Sequence, residues 1–299
     1  MKKFQYSIIL ITFILLFSSC QDVINIDLAQ GEPQLAVDAF LNNLEGNQTI
    51  RLTITSPYLD NSPAKPALGA VVTVTNLTAN KVYNFIDVNN NGNYTWIPPV
   101  NTDRIGSVGD IFALNIIYQG ETFTSSSKIG RVPAIDSLVI TNERLLGPEG
   151  LYAELYATDF VGREDFYWIK AYKNGKFNNR VTALTTAANA GFDPTGPDGI
   201  PFLRPIRRNA FDFVDNTNNN PPLPPLAKGD RVRAELISIT PEAFFFLRAA
   251  AEQMQNGGLF ARPPANVPSN IKNANPNSTK KALGCFVTSA VSVAEKQVQ

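Results

Sequence analysis

Residues 49–54 read Thr49-Ile50-Arg51-Leu52-Thr53-Ile54, and their alternation decides the fold. On an extended chain Ile50, Leu52 and Ile54 fall on one side, and Thr49, Arg51 and Thr53 on the other, which is the pattern of a strand with one face in a core and one in water. Upstream, Leu35-Ala36-Val37-Asp38-Ala39-Phe40 is a second such run. It is joined to the first across Asn42-Asn43-Leu44-Glu45-Gly46-Asn47, a tract suited to an antiparallel connection. Downstream, Pro57, Pro63 and Pro66 open a loop before Ala70-Val71-Val72-Thr73-Val74 and Lys81-Val82-Tyr83-Asn84-Phe85-Ile86 resume the pattern. Asn90-Asn91-Gly92 marks a turn into Tyr94-Thr95-Trp96, and the runs Gly109 to Tyr118 and Glu121 to Ser125 flank Gly120 as a further hairpin. Short strands spaced by turns in this way make an all-β sandwich over residues 32–131.

Arg131-Val132-Pro133-Ala134-Ile135-Asp136-Ser137 sets a boundary, with a proline ahead of a new aliphatic strand from Leu138 to Thr141. A second sandwich follows over 132–299. Gly150 to Ala157 alternates with Leu151, Ala153, Leu155 and Ala157 inward. Phe166 to Tyr172 returns and closes at Asn174-Gly175, and Arg231 to Ile239 alternates again. Thr240, Pro241 and Glu242 start a helix over about 241–255, docked on the sheet. Cys285 to Val293 is read as the last strand. Between strands, about 177–228 is a long irregular loop rich in Asn, Pro and Ala, with one strand expected near Ala210 to Val214. The fold class is therefore mainly β: two immunoglobulin-like or transthyretin-like sandwiches, the second with one docked helix.

The amino terminus carries a different signal. Lys2 and Lys3 precede an apolar stretch from Ile8 to Phe17 of roughly ten residues, half the ~20 that a spanning helix needs. Leu15-Leu16-Phe17-Ser18-Ser19-Cys20 closes it as a bacterial lipoprotein signal closes. Residues 1–19 are the expected signal peptide, Cys20 the lipidated residue, and 20–31 an anchored spacer. Acyl chains on Cys20 would tether the protein to outer-membrane lipid. Outer-membrane attachment is the expected location, as the family resemblance given below implies, with cell-surface display favoured over the periplasmic face, a choice that Gln21-Asp22-Val23 does not decide.

Composition excludes several activities. Lys+Arg and Asp+Glu are 26 each, so no global field draws in nucleic acid. The chain has no histidine, which removes Ser-His-Asp and Cys-His nucleophiles, imidazole zinc sites and titration near neutrality. With Cys20 acylated, Cys285 has no disulfide partner and reads as an inert buried side chain.

Four features invite a site. Asp87, Asn89 and Asn91 space oxygen donors as a calcium loop does, but Pro98 stands where the bidentate Glu belongs, so a hairpin turn is the expected role and no cofactor is expected. Asp136-Ser137-Leu138 matches a short O-glycosylation motif, with Ser137 the acceptor. Arg204, Arg207, Arg208 and Phe211 bring cations and rings together in the long loop and could contact an anionic or planar ligand. Glu164 and Asp165, at the end of the turn Asp159 to Asp165, are adjacent, so on a strand they would point to opposite faces and make no catalytic pair.

GAVVTV at 69–74, NNNGNYTW at 89–96, VGDIFALNI at 108–116 and YQGETFTS at 118–125 resemble the transthyretin-like or carboxypeptidase-regulatory-like sandwich. With LAVDAFL, VPAIDSL, DFYWIKAY, KGDRVRAELISITPEAFFFL, VPSNI and ALGCF, the order across the mature chain resembles the DUF4249 family of Bacteroidetes lipoproteins. The GD before the ISITPE strand-to-helix junction and the VPSNI segment are its most specific parts. The resemblance implies no catalytic residues; it implies a non-catalytic accessory or ligand-binding partner of a TonB-dependent β-barrel receptor in nutrient uptake. A structural or adhesive surface module without a small ligand is the alternative, and a histidine-independent hydrolase the third reading.

Overall fold

The computed structural model describes residues 31–57, 60, 62–143, 149–213, 226–256 and 267–299. The signal peptide, Cys20 and most of the spacer lie outside the described residues, as does the proline-rich 218–225 tract. Pro33–Gln299 form one unit by contact.

The stretch at 49–54 belongs to β2 (Gln48–Ile54), where Ile50 and Leu52 are fully buried while Thr49 and Arg51 face out. It lies antiparallel to β1 (Leu35–Asn42), with Val37 opposite Leu52, and also pairs with β3 (Lys65–Pro66) and β6 (Asn93–Trp96). A second antiparallel sheet is built from β4 (Val71–Asn76), β5 (Lys81–Phe85), β7 (Ile111–Tyr118) and β8 (Glu121–Lys128). Alternation sends Val72, Val74, Phe112, Leu114 and Ile116 inward against Val37, Ala39, Leu41 and Leu52 of the first sheet. Each large apolar side chain buried in this way stabilises the fold by about 1.5–3 kcal/mol.

The second half contributes β9 (Ser137–Glu143) paired with β10 (Gly150–Tyr156), and a sheet of β11 (Phe166–Lys173), β12 (Lys176–Phe177), β13 (Thr185–Ala188), β14 (Arg231–Ile239) and β17 (Val291–Gln297). Two α-helices lie among the described residues: α1 (Arg204–Asn209) and α2 (Pro241–Met254). The Thr240 hydroxyl accepts a bond from the Ala243 amide at 3.3 Å, Pro241 occupies the first turn, and Ala243, Phe244 and Leu247 are buried, so α2 follows its sequence signals closely.

The expected division at 131/132 does not describe the hydrogen bonding. β15 (Lys272–Asn273) pairs with β8, and β16 (Ala282–Ser289) runs parallel to β1 over eight register pairs from Leu35↔Ala282 to Asn42↔Ser289. The first sandwich is thus completed by residues some 240 positions away in the sequence. The expected last strand is two, β16 and β17, with buried Ala290 between them. Gly284 explains the close fit: its φ is +100°, and a Cβ there would collide with the Val37 carbonyl opposite.

The free edge of β16 is sealed by a side chain. The Asn270 amide donates to the Phe286 carbonyl at 2.8 Å and accepts from the Phe286 amide at 2.9 Å, as a neighbouring strand would, and Ser127 Oγ accepts from the Thr288 amide at 2.9 Å.

Because β16 buries both faces from Cys285 to Ser289 and Phe40 of β1 packs beside it, the sheets stack in four layers. Phe286 points into the first core while Cys285 and Val287 point the other way, where Phe40, Trp168, Ile237 and Phe244 form a second core that joins the two halves. Phe40 meets Trp168 edge-on at 5.3 Å. The opposite face of the five-stranded sheet packs Tyr167, Ile169, Val232 and Leu236 against β9, β10 and α1. The 177–228 loop is more structured than expected: it holds a 3-10 turn at Val181–Ala183, β13 and α1. Ala210 and Phe211 sit in a turn after α1, buried, rather than starting a strand. Pro205 in the first helical turn pre-sets the backbone for a helix, and Ile206, fully buried, anchors it.

Candidate functional site

The arginines singled out in the sequence do converge. α1 places Arg204, Arg207 and Arg208 over β10, where Glu154 is buried at 2% exposure. Arg204 Nε donates to Glu154 Oε1 at 3.0 Å, and Arg208 Nη1 and Arg207 Nη2 lie 3.3 and 3.8 Å from the same carboxylate, which also accepts from the Tyr156 hydroxyl at 2.9 Å. Glu143, at the end of β9, receives Arg204 at 2.7 Å and Arg208 at 2.8 Å. The Arg208 hydrogen bond, with the nearby Arg204 charge, holds the Glu143 carboxyl below the usual carboxylate range. Arg207 stacks over the Tyr156 ring at 4.2 Å and Arg208 over Tyr152 at 5.1 Å. Phe211 does not join them; it lies in the core at 1% exposure. Two carboxylates and two rings therefore already occupy these guanidinium groups, and an incoming anion would have to displace them.

The remaining sequence-selected residues are apart from this cluster. The Asp87 carboxylate accepts from the Asn91 amide at 3.1 Å and the Gly92 amide at 2.8 Å, and Asn91 Oδ1 accepts from the Asn93 amide at 3.0 Å. These oxygens close the β5–β6 turn on itself, with Gly92 at φ +81° packed 2.5 Å, measured from an added Cβ, from the Leu52 carbonyl. Ser137 opens β9 with its side chain exposed, next to Asp136, whose amide bonds the Tyr156 carbonyl at 2.8 Å. Cys285 is buried at 1% exposure, and burial pushes its thiol up to about 12.

Clefts lined by charged groups open among the described residues of the second half and at its junction with the first. One, of about 430 Å3, is bordered by Gly130, Arg131, Arg163, Asp165, Ser238 and Thr240. Arg131 pairs with buried Asp165 at 2.6 Å and lies 4.6 Å over Phe160, and Arg163 approaches the same carboxylate at 3.7 Å. Glu164 is exposed and Asp165 buried, in the irregular segment just before β11 rather than on a strand. Another, of about 700 Å3, is bordered by Tyr172, Arg231, Arg233, Glu235 and Glu295. There the Tyr172 hydroxyl donates to Glu235 at 3.0 Å, and Arg233 bridges Glu235 at 2.7 Å and Glu295 at 3.5 Å. Burial, reinforced by Glu235, raises the Tyr172 phenol. In the first cleft Arg131 and Arg163 face Asp165, and in the second Arg233 joins Glu235 and Glu295.

Sequence reasoning missed Glu143, Glu154 and the buried pair beneath the junction cleft, in which the Tyr167 hydroxyl donates to Asp159 at 2.6 Å. Glu154 lay on the face of β10 read as solvent-exposed; α1 covers it. Three motifs quoted for the family resemblance prove to be structural locks. Asp230 of the GD pair takes the Ala227 amide at 2.8 Å, the Asn174 amide at 2.9 Å and Lys173 at 2.9 Å; Thr240 caps α2; Asn270 of VPSNI seals β16.

Layered, mostly antiparallel sheets with inward alternation define a protein of stacked β-sandwiches. The family model described as "Domain of unknown function (DUF4249)" matches residues 21–295, and the chain belongs to that family. No curated protein matches it. Among solved structures it is similar to a two fibronectin type-III domain segment from chicken tenascin, at 12% identity over 69% of this chain and 90% of that one, with a TM-score of 0.19. No helix among the described residues is long and apolar enough to cross a membrane.

Proposed function

We propose that this chain is a non-catalytic, lipid-tethered outer-membrane module that docks on a β-barrel transporter and assists uptake. The observation that carries this reading is the outer face of the β5–β4–β7 sheet. Val71, Thr73, Asn115, Ile117, Val82 and Asn84 point away from the core there, and no residue pointing outward from these three strands is charged. Val71 and Ile117 are register partners, exposed at 56% and 43%. Solvated sheet faces are normally studded with charge, whereas the centres of protein interfaces are depleted of it. The chemistry of the clefts supports a role without catalysis: Asp165 and Glu235 are held by Arg131 and Arg233, Cys285 is buried, and the chain has no imidazole to serve as a base.

The test is affinity purification of detergent-solubilised membranes through a C-terminal tag, comparing the native chain with Thr73→Arg/Asn115→Glu. Both substitutions are on the outward face, so folding is retained. Recovery of a β-barrel with the native chain and its loss with the double variant are expected. Absence of any barrel from the native sample would refute the proposal.

A further inference from the structure

We propose that the end of the first sandwich at which the chain arrives at Pro33 rests on the anionic surface of the membrane. Lys65, Lys272, Lys280 and Lys281 would lie against lipid phosphates, and Ile86 and Val88 at the headgroup boundary. The inference rests on the reading of Cys20 as the lipidated residue.

Connectivity defines that end. β1 begins at Leu35 opposite Ile54, which pairs with Lys65 of β3; the Lys281 amide donates to Gln34 Oε1 at 2.7 Å. Asn273 and Ser278 both donate to the Glu121 carboxylate at 2.9 Å, which holds the 272–281 loop against the β7–β8 turn. Gly92, at the β5–β6 turn, abuts Leu52 and Pro66. The opposite end, at Lys128 and Ser289, continues into the second half.

The four lysines are exposed, and none forms a salt bridge among the described residues; Lys65 and Lys280 act only at longer range on Asp60 and Glu121. Beside them Leu68, Val71, Ile86 and Val88 are exposed at 45%, 56%, 62% and 74%. Lysines with aliphatic side chains at one extremity match the chemistry of a lipid surface, with phosphates outermost and acyl chains beneath. The tether supplies proximity. The chain enters the folded body at this end, and the stretch from Cys20 to Pro33 can span at most about 45 Å even fully extended, which keeps this end within that reach of an acylated Cys20. A bilayer contact here would turn the uncharged sheet face sideways, toward a neighbour in the same membrane.

The experiment uses the full mature chain with Cys20→Ser, which removes acylation. It is sedimented with vesicles of phosphatidylglycerol and phosphatidylethanolamine, and with neutral phosphatidylcholine vesicles. Salt-sensitive enrichment on the anionic vesicles is expected, falling about fivefold for each lysine removed in Lys280→Gln and Lys280→Gln/Lys281→Gln. In a second measurement a bimane is placed at Val88→Cys or, in the second half, at Val161→Cys. Cys285 is buried, so only the introduced thiol reacts. A lipid-borne quencher should quench Val88→Cys and spare Val161→Cys. Equal sedimentation with both vesicle types, or equal quenching at both sites, would overturn the proposal. Mass analysis of the native amino-terminal residue reports separately on acylation, so an unlipidated Cys20 would refute the tether without deciding the contact.

Discussion

Replacing Asn270 with Ala should unfold the first sandwich from a distance. Its side-chain amide makes two hydrogen bonds to the backbone of Phe286, a residue with no exposure, and both are lost together. Each bond contributes about 1 kcal/mol, and stranding a buried amide and carbonyl adds a desolvation cost, for a loss of about 2–4 kcal/mol. In a chain of this size that lowers the melting temperature by about 5–15 °C. Trp96 lies in β6 and Trp168 in β11, so in a Trp168→Phe background the remaining fluorescence reports the first sandwich alone. Urea titration should show the Trp96 transition at a lower midpoint in Asn270→Ala. Asn270→Asp provides a near-isosteric comparison: it keeps the acceptor for the Phe286 amide but sets a second oxygen against the Phe286 carbonyl, and should be destabilised as well. Midpoints matching the parent in both variants would refute the idea that this side chain stands in for a strand.

Three further outcomes follow from the packing. Gly284→Ala forces a Cβ against the Val37 carbonyl at φ +100°, and should cost more than about 3 kcal/mol or abolish soluble expression, read by circular dichroism melting. Glu154→Ala leaves three guanidinium groups facing an empty buried site and should cost about 3–5 kcal/mol in urea melts, whereas Glu143→Ala, at the solvent-facing rim, should leave the midpoint close to the parent's. Burial raises the Asp159 carboxyl above its ordinary value despite bonds from Tyr167 and Gly199. The unfolded chain therefore releases this proton first as pH rises, and the native state loses stability until its own raised pKa is passed. Asp159→Asn should accordingly gain stability relative to the parent as pH rises above the ordinary carboxylate value of about 4, seen in parallel denaturant melts; a flat difference would contradict it.

Local chemistry made much of the fold legible. Alternation at Ile50, Leu52 and at Val72, Val74 placed strands, and Thr240-Pro241-Glu242 placed α2, because each signal and its consequence lie within a few residues. The partner of β1 was not legible: nothing near Leu35 indicates a parallel neighbour at Ala282, and parallel pairing needs a long crossover whose register no local pattern encodes. The same distance hid the fate of the arginines. Arg204 reads as available until Glu143 and Glu154, 61 and 50 residues upstream, fold beneath it. Phe211 reads as a surface ring because the helix that carries it inward is only six residues long.

The parallel pairing of β1 with β16 also decides how the molecule would bear tension. A chain held at Pro33 and pulled through its second half draws the start of β1 one way and the end of β16 the other. The eight register pairs are then loaded in shear, all at once, rather than peeled apart one after another as in a hairpin pulled open at its mouth. A chain loaded in that way would carry the force across a seam suited to mechanical strain.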